Sequence, residues 1–164
     1  MAVADYFLKL DGIPGESQDS KHKGEIQLES WSHSATNRGT AGSGTGGMGA
    51  GKVDLGDLVF TKTVDKSGPK LFQACCSGEP IKSAVLVARK AGKEQQEYLK
   101  ITLGDSLVSS YSLGASGGSD VMPTEQFSLN FSTIKIEYKE QKPDGSLGGS
   151  VPASWSRVNN TKNV

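Results

Sequence analysis

Three stretches of the sequence hold residue types at spacings that enzymes use. Gly46-Gly47-Met48-Gly49-Ala50-Gly51-Lys52 fits the start of a phosphate-binding loop, where backbone amides and a lysine cradle an anion. The next residue is Val53, where magnesium binding needs a Ser or Thr hydroxyl. A strand-like run follows, where a helix N-terminus would be required. Gly44-Thr45-Gly46-Gly47-Met48-Gly49 also fits G-x-G-x-x-G, but no βαβ pattern surrounds it. Both fits reduce to a flexible glycine loop. Gly114-Ala115-Ser116-Gly117-Gly118 fits the G-x-S-x-G nucleophile elbow, which needs a following helix and a later histidine as base. Here Pro123 and another strand follow, and the two histidines, His22 and His33, lie upstream. A hydrolase would rest on Ser116 alone.

Metal and redox chemistry find no better support. His22 and His33 have no Cys or His partners at ligand spacing. Cys75 and Cys76 are adjacent, and a disulfide between neighbours strains the peptide that joins them. They read as two small buried apolar residues. Asp54 and Asp57 flank Gly56, where a turn or solvated strand accounts for them. The sequence therefore assigns no catalytic, metal-binding or cofactor-binding residue.

Bulk properties narrow the class further. The formal net charge is zero, from 18 basic and 18 acidic side chains. That argues against a nucleic-acid partner, which calls for a basic surplus, and against electrostatic attachment to anionic membranes. No apolar run approaches the roughly 20 residues needed to cross a bilayer. The N-terminal residues lack the basic and apolar regions of a secretory signal peptide. With 21 Gly and 6 Pro in 164 residues, turns are favoured over long helices.

The elements that must position any site are mostly short strands. Strands are predicted at Tyr6–Asp11, Glu25–Ser34, Val53–Thr63, Ser83–Lys90, Glu97–Leu103 and Leu107–Leu113. In the second, Ile26 and Leu28 share a face that Trp31 does not, which predicts a bulge or a change of packing surface near Ser30. Leu99, Ile101 and Leu103 are expected inward, and Leu107, Tyr111 and Leu113 together on one face. In Gln126–Glu140, Phe127, Leu129 and Phe131 have one parity, and Ile134, Ile136 and Tyr138 the other. A strand bent near Ser132 and Thr133 passes its apolar face from one sheet to another, as barrels and sandwiches require. Asp144-Gly145 marks a turn, with Val151, Ala153 and Trp155 in a last edge strand. One helix is expected between about Ser67 and Ser77, capped by Ser67 and ended by Gly78, its apolar stripe formed by Leu71, Phe72, Cys75 and Cys76. The fold class expected is mainly β: a compact barrel of two packed antiparallel sheets with one short helix. Residues 1–158 form a single domain, and 159–164 a frayed tail.

The segments Phe60-Thr61-Lys62, Asp65-Lys66-Ser67, Pro69 and Leu71 follow an F-T-K…D-K-S-x-P-x-L signature. Arg89-Lys90-Ala91-Gly92 and Tyr98-Leu99-Lys100-Ile101-Thr102-Leu103 match its next segment. Leu107-Val108-Ser109-Ser110, the Gly114–Gly118 loop, Glu125 with Ser128-Leu129-Asn130-Phe131, Tyr138 and the Asp144-Gly145 turn complete it. On these residues nearly the whole chain resembles the haemolysin-coregulated protein (Hcp) family, the tube protein of bacterial type VI secretion systems. Gly68, where the family usually has Thr, and Cys76, in place of a small polar residue, are the departures.

The resemblance implies a homohexameric ring that stacks into a tube, is fired by a contractile sheath, is capped by a spike protein and carries small effectors. It implies a protein that is cytoplasmic before assembly and secreted afterwards, with no membrane insertion and no enzymatic activity. If Trp31 points inward, Ser30 and Ser32 point away and become candidate lumen-facing residues. The loop 37–52, with Gly42, Gly44, Gly46, Gly47, Met48 and Gly49, is the candidate for contacts between stacked rings. Its seven glycines cannot pack a core, and such a loop needs a neighbour to order it. The competing expectation is a monomeric β-sandwich module binding a sugar or peptide, with the glycine loop at its site.

Overall fold

The computed structural model describes residues 4–39, 51–90, 95–118 and 121–162. The strands are β1 (Ala4–Leu10), β2 (Ile26–Leu28), β3 (Ser30–Ser32), β4 (Ala35–Thr36), β5 (Asp54–Leu55), β6 (Leu58–Thr63), β7 (Ile81–Lys90), β8 (Glu97–Gly114), β9 (Thr124–Gln141) and β10 (Leu147–Ser156), with helix α1 (Gly68–Ser77) between β6 and β7. Eight strands form one antiparallel sheet in the order β2-β1-β7-β8-β9-β6-β3, with β10 on the other half of β9. β4 and β5 form a separate two-stranded ribbon.

The long strands β8 and β9 make this sheet fold over itself. Residues 97–106 of β8 pair with β7, while residues 107–114 pair only with β9. β9 lies beside β6 from Thr124 to Leu129 and beside β10 from Thr133 onward. The change of partner falls where the sequence parity switches, and Phe131 and Ile134 are both in the core despite lying three residues apart. The bend there has a visible cause. Asp105 adopts a left-handed backbone, φ 38°. Ser132 Oγ donates to the Gly104 carbonyl at 3.0 Å. A Cβ on Gly104 would land against Thr133 Oγ1, so Thr133 occupies the space that Gly104 leaves open.

The fold is mainly β, with two antiparallel sheets and one short helix as expected, and only the closure into a barrel is corrected. The main sheet is continuous, and its hydrogen-bond ladder does not close among the described residues. Its two ends, β2 and β3, meet through Glu29, whose amide donates to Thr61 O at 2.9 Å. The change of surface expected near Ser30 occurs at this junction.

Three further expectations are corrected. In α1 the buried residues are Gly68, Leu71 and Ala74, not a stripe through Phe72 and Cys76. Gly68 leaves room for the Glu125 carboxylate of β9, and Phe72 is left 55% exposed at the rim against Tyr111, centroids 5.9 Å apart. Cys75 is half-buried, Cys76 is exposed, and both are free thiols. On β8 the inward residues beyond the bend are Ser106 and Val108, while Leu107 and Leu113 are exposed. A register shift between Val108 and Ser110 then resets the alternation.

Ser67 occupies the helix N-cap position without capping it. Its amide donates to Asp65 Oδ1 at 2.9 Å, and its hydroxyl bonds to the same oxygen. Gly78 ends the helix in the left-handed region, φ 69°. The Asp144-Gly145 turn is present, with Ser146 N on Asp144 Oδ1 at 2.9 Å. At the C-terminal end, Thr161 bridges to Ser156 and Ser154 Oγ donates to Lys162 O at 2.6 Å. The candidate stacking residues Gly42, Gly44, Gly46, Gly47, Met48 and Gly49 lie outside the described residues. The feet of their loop are set side by side by the β4–β5 pairing.

Candidate functional site

Alternation along β6 and the first half of β9 sends the large residues to one side. Leu58, Phe60 and Lys62 are buried on β6, as are Phe127 and Leu129 on β9. The opposite face of β3, β6, β9 and β8 then carries what remains of the pattern. Register places Ser30 beside Thr61, Thr61 beside Gln126 and Gln126 beside Ser112. The next row is Ser32, Val59, Ser128 and Ser110. Two rows of small neutral side chains thus span four strands, about 14 Å at interstrand spacings of about 4.8 Å.

Ser30 and Ser32 stand exposed on this face, and Trp31 between them is half-buried against the core, edge-on to Tyr6 at 6.3 Å. The two rows carry no charge. Glu29 lies at one end, accepting from Thr63 Oγ1 at 2.6 Å. Asp57 lies at the other, accepting from Ser109 Oγ at 2.7 Å and Asn130 Nδ2 at 2.8 Å. The hydroxyls also bond to one another: Ser109 and Ser128 are 2.7 Å apart, and Ser112 Oγ donates to Gln126 O at 3.3 Å. Such a surface offers many weak hydrogen-bonding groups and no fixed charge to select a partner.

Sequence reasoning named Ser30 and Ser32 but missed Thr61, Ser110, Ser112, Gln126 and Ser128. The signal was available in Gln126 and Ser128, which alternate with Phe127 and Leu129. Where the face meets the β8–β9 connection it opens into a cleft of about 540 Å³, floored by Thr61, Ser112 and Gln126 and walled by Val121 and Met122.

Ser116 lines the same cleft but meets no histidine. His22 is bonded to Glu25 and Glu97, and His33 packs on Phe131 at 5.8 Å, where burial lowers its pKa. Gly118 has φ 83°, so the motif is a turn. Lys52, from the phosphate-loop motif, lies beside Trp155 and Arg157, with Val53 and then β5 of the ribbon rather than a helix following it.

Comparison with known proteins agrees with the residue signature. The family described as "Type VI secretion system effector, Hcp" matches residues 7–138. Protein hcp1 of Pseudomonas aeruginosa is 47% identical over 158 residues, covering 95% of this chain and 96% of that protein. A solved structure described as a type six secretion system protein superposes with a TM-score of 0.92 at 32% identity, covering 98% of this chain and 100% of that one. Hcp1 from Salmonella typhimurium superposes with a TM-score of 0.82 at 40% identity, covering 99% of each chain. The chain belongs to the Hcp family of type VI secretion system proteins.

Proposed function

We propose that the chain is a tube subunit: six copies close into a ring, rings stack, and the neutral hydroxyl face lines the lumen and holds effectors. The observation that carries this reading is the pair of charge-free rows through Ser30 and Ser32, spanning four strands. A conduit that must hold different cargos and then release them is served by many weak contacts.

Surface area supports self-assembly. The isolated chain exposes 10140 Å². A compact monomer of this mass is expected to expose roughly 7,800 Å². Two neighbours covering about 800 Å² each would account for most of that excess. A head-to-tail contact that closes by rotation yields such a ring. The protein works as structure rather than as an enzyme. It meets the spike, the sheath and its cargo in the cytoplasm and leaves the cell with the tube. The loop 37–52, its feet held together by β4 and β5, reaches the next ring. Among the described residues no helix is long and apolar enough to cross a membrane.

Electron microscopy of the purified protein tests the proposal. Rings with an open centre are expected, and a field of single globular particles would overturn it.

A further inference from the structure

A charged cluster built around buried Arg89 and His22 lies on the outer side of β1 and β7. Register puts Asp5 beside Arg89, Arg89 beside Glu97, and Phe7 beside Val87 on that side. Phe7 is 2% exposed although it faces away from the main core. Its cover is the loop 15–25, which closes on itself through Gly15 N to Gly24 O at 2.8 Å and Ser17 N to Glu25 O at 3.0 Å. The loop is fastened to the sheet by two side chains. Asp19 accepts from Arg89 Nη1 at 2.9 Å, and His22 stacks on the Phe7 ring, centroids 4.4 Å apart.

His22 sits between two carboxylates. Its Nδ1 is 2.7 Å from Glu25 Oε2, within the loop, and its Nε2 is 2.8 Å from Glu97 Oε1, on β8. We propose that His22 is a proton-operated latch: carrying both ring protons it fastens the loop 15–25 over Phe7, and on losing one it lets that loop go.

The chemistry follows from donor counting. An ionised carboxylate only accepts, so two such contacts need two ring N–H groups. With both present the bonds are charge-assisted. A neutral ring turns a lone pair toward one carboxylate at hydrogen-bond distance, and that contact becomes repulsive. Other charges around the ring do not relieve it. Arg89 is engaged by Asp19 and by Asp5 at 3.4 Å. Lys21, Lys23 and Lys100 are exposed. Among the described residues His22 is the group that pairs with both Glu25 and Glu97.

The direction of the pH effect is fixed by proton count. The fastened loop holds one proton more than the released one, so raising the pH favours release. The Asp19–Arg89 contact has the opposite sign, because Arg89 holds the Asp19 carboxyl well below the usual carboxylate range and this fastening fails only in acid.

Hydrogen exchange of the intact protein tests the latch, with protection factors corrected for intrinsic rates. Protection of loop 15–25 should fall roughly tenfold when the pH is raised. Nitrogen NMR should show both His22 ring nitrogens protonated at the lower pH. In Glu97→Gln the amide can either accept from an N–H or donate to a lone pair, so protection should persist and become flat with pH. In His22→Gln protection should be low at both pH values; if this variant does not fold, the other two proteins decide. Flat protection in the wild type, a singly protonated ring at the lower pH, or wild-type pH dependence in Glu97→Gln overturns the proposal.

Discussion

Lys62 Nζ lies 3.2 Å from Glu125 Oε1, and neither side chain reaches solvent. The same ammonium is 2.7 Å from Asp65 Oδ1. Asp65 in turn takes the Ser67 amide and hydroxyl at the head of α1, and its own amide donates to Glu125 Oε1 at 3.3 Å. The F-T-K and D-K-S segments are thus one buried network that fixes the helix against the sheet.

Removing one partner strands a charge in the core. Lys62→Met should destabilise the fold by about 3–5 kcal/mol. Lys62→Met combined with Glu125→Leu should recover much of that loss. Urea unfolding of the three variants checks it; equal losses in single and double variants would contradict it.

Gly104 and Thr133 share one space across the bend. Gly104→Ala should cost about 1–3 kcal/mol through overpacking. Adding Thr133→Ala removes the obstructing hydroxyl and should restore most of the stability, so the two substitutions are not additive. A thermal double-mutant cycle measures the coupling, and simple additivity would contradict it.

Tyr111 is pushed up to about 12, first by burial and then by the Glu125 carboxylate beside it. The neutral form is favoured in the fold, so this contribution is present below the ordinary tyrosine range and is lost as pH rises through about 12. Burial also raises Tyr98, so phenolate absorbance should show a late-titrating fraction whose Tyr111 part is removed by Tyr111→Phe. Simultaneous ionisation of all the tyrosines would contradict it.

The acid limb has a different source. Arg89 holds Asp19 in its ionised form, and burial favours neutral His33. Both contributions are present above the ordinary values of their groups and are lost as pH falls. Asp19→Asn should therefore flatten the loss of stability in acid, measured as urea midpoints against pH.

Ser32→Arg places a long charged side chain on the neutral face. Ring mass should be unchanged, while effector retained during purification falls. Undiminished retention would remove this face from the account.

The sequence was most legible where periodicity had one clear meaning. The parity switch between Phe131 and Ile134 located the bend in β9, and Ile26, Leu28 and Trp31 located the break between β2 and β3. It misled where an apolar residue stands at a rim, as Phe72, Leu107 and Leu113 do. Periodicity reports which positions are apolar, not which element covers them. The bulge at Val108/Ser110 decided the β8 cases, and in α1 the buried positions are Gly68, Leu71 and Ala74. Lys62 was unreadable as a core residue because its partners lie at Asp65 and Glu125, in different elements. The face through Ser30 and Ser32 was only half visible, since its width depends on strand order, which no single strand encodes.

The central claim is tested most directly by light scattering on the size-exclusion peak through a dilution series. The account predicts a mass six times the 17.3 kDa chain at micromolar concentration. A constant mass of one chain at every concentration would contradict it.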